Sequence, residues 1–304
     1  MTSGSAPFEK TYSAETARHG LLANLLPVVG YPLDMWRHRY IIGNFFRREL
    51  LGRFRGSALG LFWVLVHPIF LFVIYYLVFG YLFGKAGTEP SKEFALYLFS
   101  GVIGFSSLNE GITRSCTCVV DNGNLVKKVA FPSQLLPVPV LLVALMVYVV
   151  GCVVCIAFGW WVGVLQPGWS LLLLPVVLLI QFAMMLGLGM FLANAQVFAR
   201  DTSHLWGILS MAWMFLTPVF WWPFQLEQSL GTGLQVMLSW NPAYPLIQAQ
   251  RLILGARDGV VDGHPIAFGE LGEHLVHAGG WALVFLIVGH AVFMSRRHKF
   301  ADLV

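Results

Sequence analysis

Residues 47–84 read RRELLGRFRGSALGLFWVLVHPIFLFVIYYLVFGYLFG: four arginines (Arg47, Arg48, Arg53 and Arg55) within nine positions, then from 57 onward a stretch without acid or base. A helix needs about 20 apolar residues to cross the hydrocarbon core, and 57–84 supplies them. Further stretches of similar character lie at 94–112, 135–165, 171–199, 204–222 and 279–295, the last of them short. Hydrophobic residues make up 57% of the 304 and charged residues 11%, against about 25% charged in soluble domains. A water-facing shell cannot hide that much apolar surface. The expected fold is an all-α polytopic membrane protein with six transmembrane helices.

Orientation follows from the basic residues. With the N-terminus inside, the segments 1–56, 113–134, 200–203 and 296–304 hold 15 of the 19 Lys and Arg, which places both termini in the cytoplasm. Lys85, Lys92, Arg251 and Arg257 fall outside, together with Glu227, Asp258, Asp262, Glu270 and Glu273. The patch LLANLLPVVG (21–30) has no small-x-small cleavage site near it, so no cleaved signal peptide is expected. Residues 1–35 read as a polar cytoplasmic segment and 36–56 as a helix at the interface. On that helix Trp36, Tyr40, Leu50, Leu51 and Phe54 share one face with Arg47, while Ile41, Ile42 and Phe45 point elsewhere. Such a helix touches lipid on one side and protein on another. Spans one to five fill 57–222, with an inner loop at 113–134. The segment 223–278 contains LQVMLSW and YPLIQAQRLIL, too short to span, which read as outer re-entrant helices. Span six fills 279–295 and a cytoplasmic tail 296–304.

Several chemistries are excluded by what the sequence lacks. There is no G-x-x-x-x-G-K-[ST], hence no P-loop nucleotide site, and no G-x-S-x-G or H-E-x-x-H. No acid or base sits near the middle of a span. Glu110 and Asp201 lie at inner ends, and the interior offers only Gln181, Asn194, Gln196, His67 and His290. Ion-driven transport usually needs more than that. Cys152 and Cys155 form a C-x-x-C within an apolar run and, like Cys116 and Cys118, read as packing residues. Glu273, His274 and His277, with His264 upstream, have partial zinc spacing but no evident third fixed ligand. No metal site is expected.

Aromatic residues are the positive feature. Trp63, Tyr75, Tyr76, Phe79 and Tyr81 stud the first span, and Trp206, Trp213, Phe215, Phe220, Trp221 and Trp222 the fifth. An interfacial belt accounts for the outer ones, but it suits mid-span Trp213 poorly. The other reading is an uncharged channel whose aromatic faces meet sugar rings, lined by Trp63, Tyr75, Tyr76, Trp213, Phe215, Phe220, Trp221 and Trp222. The inner loop SCTCVVDNGNLVKKVAFPSQLLP holds a short helix opened by Asp121 or Asn122 and ended by Phe131-Pro132. It is either a plain reversal or a docking element.

RFRGSALGLFWVLVHP (53–68), NGNLVKKVAFPSQLLP (122–137), FARDTSHLWGILSMAWMFLTPVFW (198–221) and NPAYPLIQAQRLIL (241–254), in this order around six spans, carry a resemblance. The sequence resembles the permease subunits of ABC-2 type exporters, in the polysaccharide branch that exports O-antigen, capsule or teichoic acid chains. It does so over roughly residues 36–297. The resemblance implies a homodimer in the bacterial inner membrane with two separate ABC ATPase subunits docked below, ATP and Mg belonging to those partners and no cofactor to this chain. It implies an amphipathic interface helix at 36–55 and a coupling helix at 122–132, where Asn124, Leu125, Val126, Lys127 and Lys128 would meet the ATPase. Re-entrant helices at 223–278 would close the exit. The substrate would be a polyprenyl-pyrophosphate-linked polysaccharide, O-antigen first, with no nucleic acid involved. Arg47, Arg48, Arg53 and Arg55 would then either grip the pyrophosphate or fix topology and attract anionic lipid. An ABC-2 permease for a small lipid or drug and a membrane enzyme on lipid-linked glycans are the alternatives. The sequence departs from the family in its longer polar N-terminus. Gly123 is a poor helix former, which puts the expected start of the coupling helix at Asn124.

Overall fold

The computed structural model describes residues 26–53, 55–78, 92–128, 132–165, 168–224, 231–256, 260–261, 264–265 and 269–304. Phe54, Phe79, Tyr81, Lys85, Phe131, Glu227, Arg257, Asp258, Asp262 and most of the 1–35 segment, all cited above, lie outside them.

A 3-10 turn (Leu26–Gly30) leads into α1 (Tyr31–Arg37) and α2 (Arg39–Arg53). Then come α3 (Trp63–Tyr75), α4 (Lys92–Asp121), α5 (Gly123–Lys128), α6 (Pro137–Trp161) and α7 (Leu174–Phe198). The chain continues through α8 (Thr202–Leu216), α9 (Thr232–Ser239), α10 (Ala243–Ile253), α11 (Leu271–Arg296) and α12 (Phe300–Leu303). A two-residue antiparallel ladder pairs Val260–Val261 with His264–Pro265.

Among the described residues, four helical stretches are long and apolar enough to cross a membrane: Gly60–Val78, Ser133–Trp161, Trp169–Phe198 and Leu271–Leu303. They correspond to the expected first, third, fourth and sixth spans. The last is not short, because its helix begins at Leu271, ahead of the expected 279.

The second and fifth expected spans differ from the reading of the sequence. α4 extends past the expected 112 to Asp121, and most of its length is buried against α3, α6, α7, α8 and α10. Serines and glycines on it face protein, which is why it is the least apolar of the long helices. α8 stops at Leu216 rather than 222. Pro218 pushes the preceding Thr217 out of the helical region, to φ −91° and ψ 137°.

Glycines let the helices approach. Gly187 of α7 and Gly289 of α11 lie back to back, so that a Cβ on Gly289 would overlap the Gly187 carbonyl. On the other flank a Cβ on Gly189 would sit 2.6 Å from Ser115 Cβ of α4. This is the small-residue packing that membrane helices use where no hydrophobic effect drives them together. A polar thread crosses the same layer: Gln181 donates to Ser107 Oγ (3.1 Å), which donates to the Ala144 carbonyl (3.1 Å). Cys152 and Cys155 are buried free thiols in the core around α6, as packing residues should be.

The Gly187–Gly289 crossing yields a prediction. Gly289→Leu should destabilise the chain by at least about 2 kcal/mol, the cost of overpacking against backbone that cannot yield. Gly280→Ala on the same helix, where a Cβ meets nothing within 4 Å, should be neutral or stabilising. Denaturant unfolding of the detergent-solubilised chain separates the two.

Candidate functional site

Two places concentrate polar interactions, one at each end of α4. The first gathers α2, the C-terminal part of α4, α5 and the end of the chain. Along α2 the side turned to the protein carries buried Ile42 and half-buried Phe45, while Tyr40 and Leu51, and Trp36 in α1, are exposed. The imperfect amphipathicity read from the sequence therefore reflects a helix with one face packed on α6 and another left open. Its last turns meet α4 through charge. Arg53 pairs with Glu110 at 2.7 Å, and Arg114 with Glu49 at 2.9 Å and Glu110 at 3.2 Å.

The four arginines of 47–55 thus have different surroundings. Arg53 is tied to Glu110. Arg48 stacks on Phe45 (4.3 Å) and donates to Asn122 Oδ1 at 2.9 Å. Arg47 and Arg55 are exposed, and no acid pairs with either among the described residues.

Asn122 does not cap α5 with its side chain, as the sequence suggested. Its Nδ2 donates back to the Cys118 carbonyl (2.8 Å), closing α4. Its backbone carbonyl accepts from Leu125 N (2.9 Å) and Val126 N (3.2 Å), opening α5. The short helix begins at Gly123 and not at Asn124. The residue that looked wrong for a helix makes room there for the Val304 side chain, which a Cβ would displace. Asn124 and Lys127 are exposed, while Leu125 and Val126 are half-buried. Arg297 donates to Gln134 Oε1 at 3.1 Å and Tyr31 Oη to the Gln134 carbonyl at 2.6 Å, so the tail and α1 are held to the same end.

The second place is the corner after α8. Thr217 hydrogen-bonds back to the Trp213 carbonyl (2.8 Å) and the chain turns at Pro218. Two residues of the 241–254 stretch hold this corner. Asn241 accepts from Trp213 Nε1 (2.8 Å) and from Ala243 N (3.1 Å), and donates to Leu216 O (3.2 Å) and Thr217 Oγ1 (3.0 Å).

Arg251 is 1% exposed. Its Nη1 donates to Pro218 O (3.1 Å) and Nη2 to Tyr97 O (3.1 Å), and Nε lies 3.4 Å from Ser100 Oγ. Its guanidinium sits 3.6 Å from the Tyr97 ring centre and the Trp222 indole 3.9 Å from it. Two groups that close cannot share a face, so Tyr97 is sandwiched between them. Tyr97 Oη lies 2.9 Å from Pro218 O and 2.7 Å from Trp221 O. No carboxylate pairs with Arg251 among the described residues. Gly101 leaves the room, since a Cβ there would lie 2.5 Å from Arg251 Nη2.

The sequence placed Arg251 among outer-loop charges and gave Asn241 no role. The available signal was a lone arginine in the otherwise uncharged stretch 241–254, and an Asn before a Pro.

The expected channel aromatics scatter. Trp63 is exposed and donates to Ser57 Oγ (2.8 Å), and Tyr75 is half-buried between both core clusters. Tyr76 stacks on Phe72 (6.0 Å). Trp213 packs edge-on against Phe105 (5.5 Å) and Trp206 (6.0 Å). Phe215 is exposed and contacts half-buried Phe220 (5.7 Å), and Trp221 donates to the Phe215 carbonyl (2.8 Å). Trp222 is 3% exposed and belongs to the Arg251 corner. His274 packs edge-on against Tyr244 (5.8 Å), and no group of three His, Cys, Asp or Glu gathers among the described residues.

Arg251→Met should lower stability by about 2 kcal/mol or more, because it strands buried carbonyls without donors. Arg251→Lys should recover less than half of that, since one ammonium cannot reproduce the fork. Unfolding followed by tryptophan fluorescence measures both; a neutral Arg251→Met would show that the corner holds without the cation.

The family described as ABC-2 type transporter matches residues 42–254. The chain is similar to the "O-antigen export system permease protein RfbA" of Myxococcus xanthus, 28% identical over 273 residues that cover 88% of this chain and 97% of that protein. It is also similar to a protein of the same name from Klebsiella pneumoniae, 21% identical over 277 residues that cover 91% of this chain and 97% of the relative. The matched range runs from Ile42 in α2 to the end of α10, so it takes in the Arg251 corner and the α2–α4–α5 junction, and this chain belongs to the ABC-2 type transporter family.

Proposed function

We propose that this chain is the membrane subunit of an ATP-driven exporter that carries a polyprenyl-pyrophosphate-linked polysaccharide, O-antigen foremost, across the bacterial inner membrane. The observation that carries the reading is similarity along nearly the whole chain to permeases named for O-antigen export. With no P-loop in the sequence, ATP and Mg would be bound by two separate ABC ATPase subunits, and two copies of this chain would form the pathway.

In this reading six helices span, both termini are cytoplasmic, and α9 and α10 belong to the outer re-entrant segment. α4 tolerates its polar residues because protein surrounds it. The 15-residue α8 reaches about 22 Å at 1.5 Å per residue, and the corner at 217–222 completes the crossing. α5 presents Asn124 and Lys127 to the ATPase, with Leu125, Val126 and Lys128 in the same contact. Its junction through Asn122 to Arg48 and α4 would pass motion to the spans. Of the four arginines, Arg47 and Arg55 are best placed to meet the pyrophosphate, while Arg48 and Arg53 hold the entrance in shape. Trp63 and Phe215, exposed on this subunit, are the leading aromatics for a sugar-lined channel.

Two experiments test the reading. Deletion should leave lipid-linked polymer inside the cell and none at the surface; normal surface glycan would turn the assignment toward another cargo. Leu125→Asp should cut export at least tenfold while the protein still inserts, as read by surface-glycan staining and by co-purification of the ATPase. Unchanged export would remove α5 from the coupling role.

A further inference from the structure

A groove of about 790 Å³ runs between the helix pair α1–α2 and the flank of α6 and α7. Ile42 and Phe46 line it from α2, Val138 and Leu142 from α6, and Pro175 and Leu179 from α7. Among the described residues no acidic side chain lines it, and Arg39 is its one charged residue. Nη1 of Arg39 donates to the Trp36 carbonyl at 3.2 Å, and Nη2 lies 3.4 Å from Tyr40 Oη. The guanidinium rests 5.2 Å from the Trp36 ring centre and 4.6 Å from that of Tyr40. A guanidinium has five N–H donors, so this arrangement fixes the fork while leaving donors open. Trp36 and Tyr40 are 69% and 73% exposed, as aromatics at headgroup level are.

The depth of the groove follows from helix register. Ser107 of α4 faces Ala144 of α6 and Gln181 of α7, and Gly111 faces Leu141 and Met185. On that register Val138 is level with Thr113 and Pro175 with Gly101, a rise of roughly 18 Å at 1.5 Å per residue. One leaflet of the hydrocarbon core is about 15 Å deep. Tyr31 of α1 donates to the Gln134 carbonyl just ahead of α6, which sets the α1–Arg39 end of the groove at the Val138 end of α6, and α2 runs on from there to the charged part of α4, where Glu49 and Arg53 meet Arg114 and Glu110.

We propose that this groove is a binding site for an anionic phospholipid of the surrounding leaflet, with one acyl chain along α6 and α7 and the headgroup phosphate on Arg39. An apolar slot one leaflet deep fits an acyl chain. A single cation with open donors, flanked by headgroup-level aromatics and by no acid in the lining, selects negative charge at the mouth. The site lies apart from Arg47 and Arg55, and it does not depend on what the permease carries.

Native mass spectrometry of the full-length chain tests this, with phosphatidylglycerol, phosphatidylcholine and a polyprenyl phosphate as probes after loosely held lipid is stripped. Wild type should retain phosphatidylglycerol at about fivefold lower concentration than phosphatidylcholine, the factor expected for one surface arginine. Arg39→Gln should abolish that preference and leave phosphatidylcholine retention unchanged. Gly43→Phe should weaken both, because Gly43 lines the groove and a Cβ there meets nothing within 4 Å, so the ring fills the slot without displacing its neighbours. Equal retention of the two phospholipids by wild type, a preference that survives Arg39→Gln, or undiminished binding to Gly43→Phe would overturn the proposal. So would displacement of phosphatidylglycerol by an equal or lower concentration of polyprenyl phosphate, which would assign the groove to that class of lipid instead.

Discussion

Backbone that leaves the helical path inside a membrane protein must find hydrogen-bond partners within the protein, because lipid offers none. Pro218 forces that situation here. It ends α8 at Leu216 and leaves the carbonyls of Leu216, Pro218 and Trp221 pointing away from any continuing helix. Each finds a donor: Asn241 for Leu216, Arg251 for Pro218, and Tyr97 for Trp221. Burying an arginine without a carboxylate is costly. What offsets it is a set of carbonyl dipoles and the face of Tyr97, whose ring lies between the guanidinium and Trp222. The position of α10, the placement of the 217–222 corner and the contact of both with α4 follow from meeting this one demand.

α4 makes the demand solvable. A helix with protein on most sides need not be apolar, and it can carry Ser100, Gly101 and Gly104 where larger or greasier residues would keep Arg251 and Gln250 out. The same freedom lets Glu110 and Arg114 appear two to three turns before its other end, where α2 supplies Arg53 and Glu49. One rigid element thus joins the α2–α5 end of the molecule to the Arg251 corner. It is about 45 Å long at 1.5 Å per residue. If ATPase docking moves α5, as the proposed function requires, α4 is the shortest mechanical route to the far corner. Its glycine contacts leave little slack, since close-packed interfaces shift between discrete arrangements rather than deforming continuously.

The sequence made the all-helical architecture legible because apolar runs are long and charges are sparse, and four of the expected spans coincide with helices able to cross. It also gave the location of α5 and the two-sided character of α2. The rest was hidden for specific reasons. Hydropathy measures exposure to lipid, so it could not separate α4's burial in protein from a weakly apolar span. Reading 204–222 as one span overlooked Pro218, although a residue before proline resists helix. Gly123 looked like a defect because its partner, Val304, is 181 positions away. Arg251 was counted as a loop charge because its carbonyl partners come from α4 and from the end of α8, which no local pattern connects.

The opening cluster of arginines is also no longer a single feature. On an isolated surface helix four like charges would act together, through topology or a common anion. Here the fold divides them. Arg53 faces Glu110 and is neutralised in place, and Arg48 is committed to Asn122 and Phe45, so neither can turn to an incoming phosphate without loosening the junction between α2, α4 and α5. Arg47 and Arg55 keep their charge toward the solvent side of the same helix end. A phosphate-bearing ligand arriving there would meet two open cations backed by two engaged ones. Its binding would be felt at the α4–α5 junction through Arg48, because both arginines 47 and 48 sit on the same turn. If α5 is the coupling segment, as the proposed function has it, one helical turn would join anion contact at Arg47 to that segment through Arg48 and Asn122.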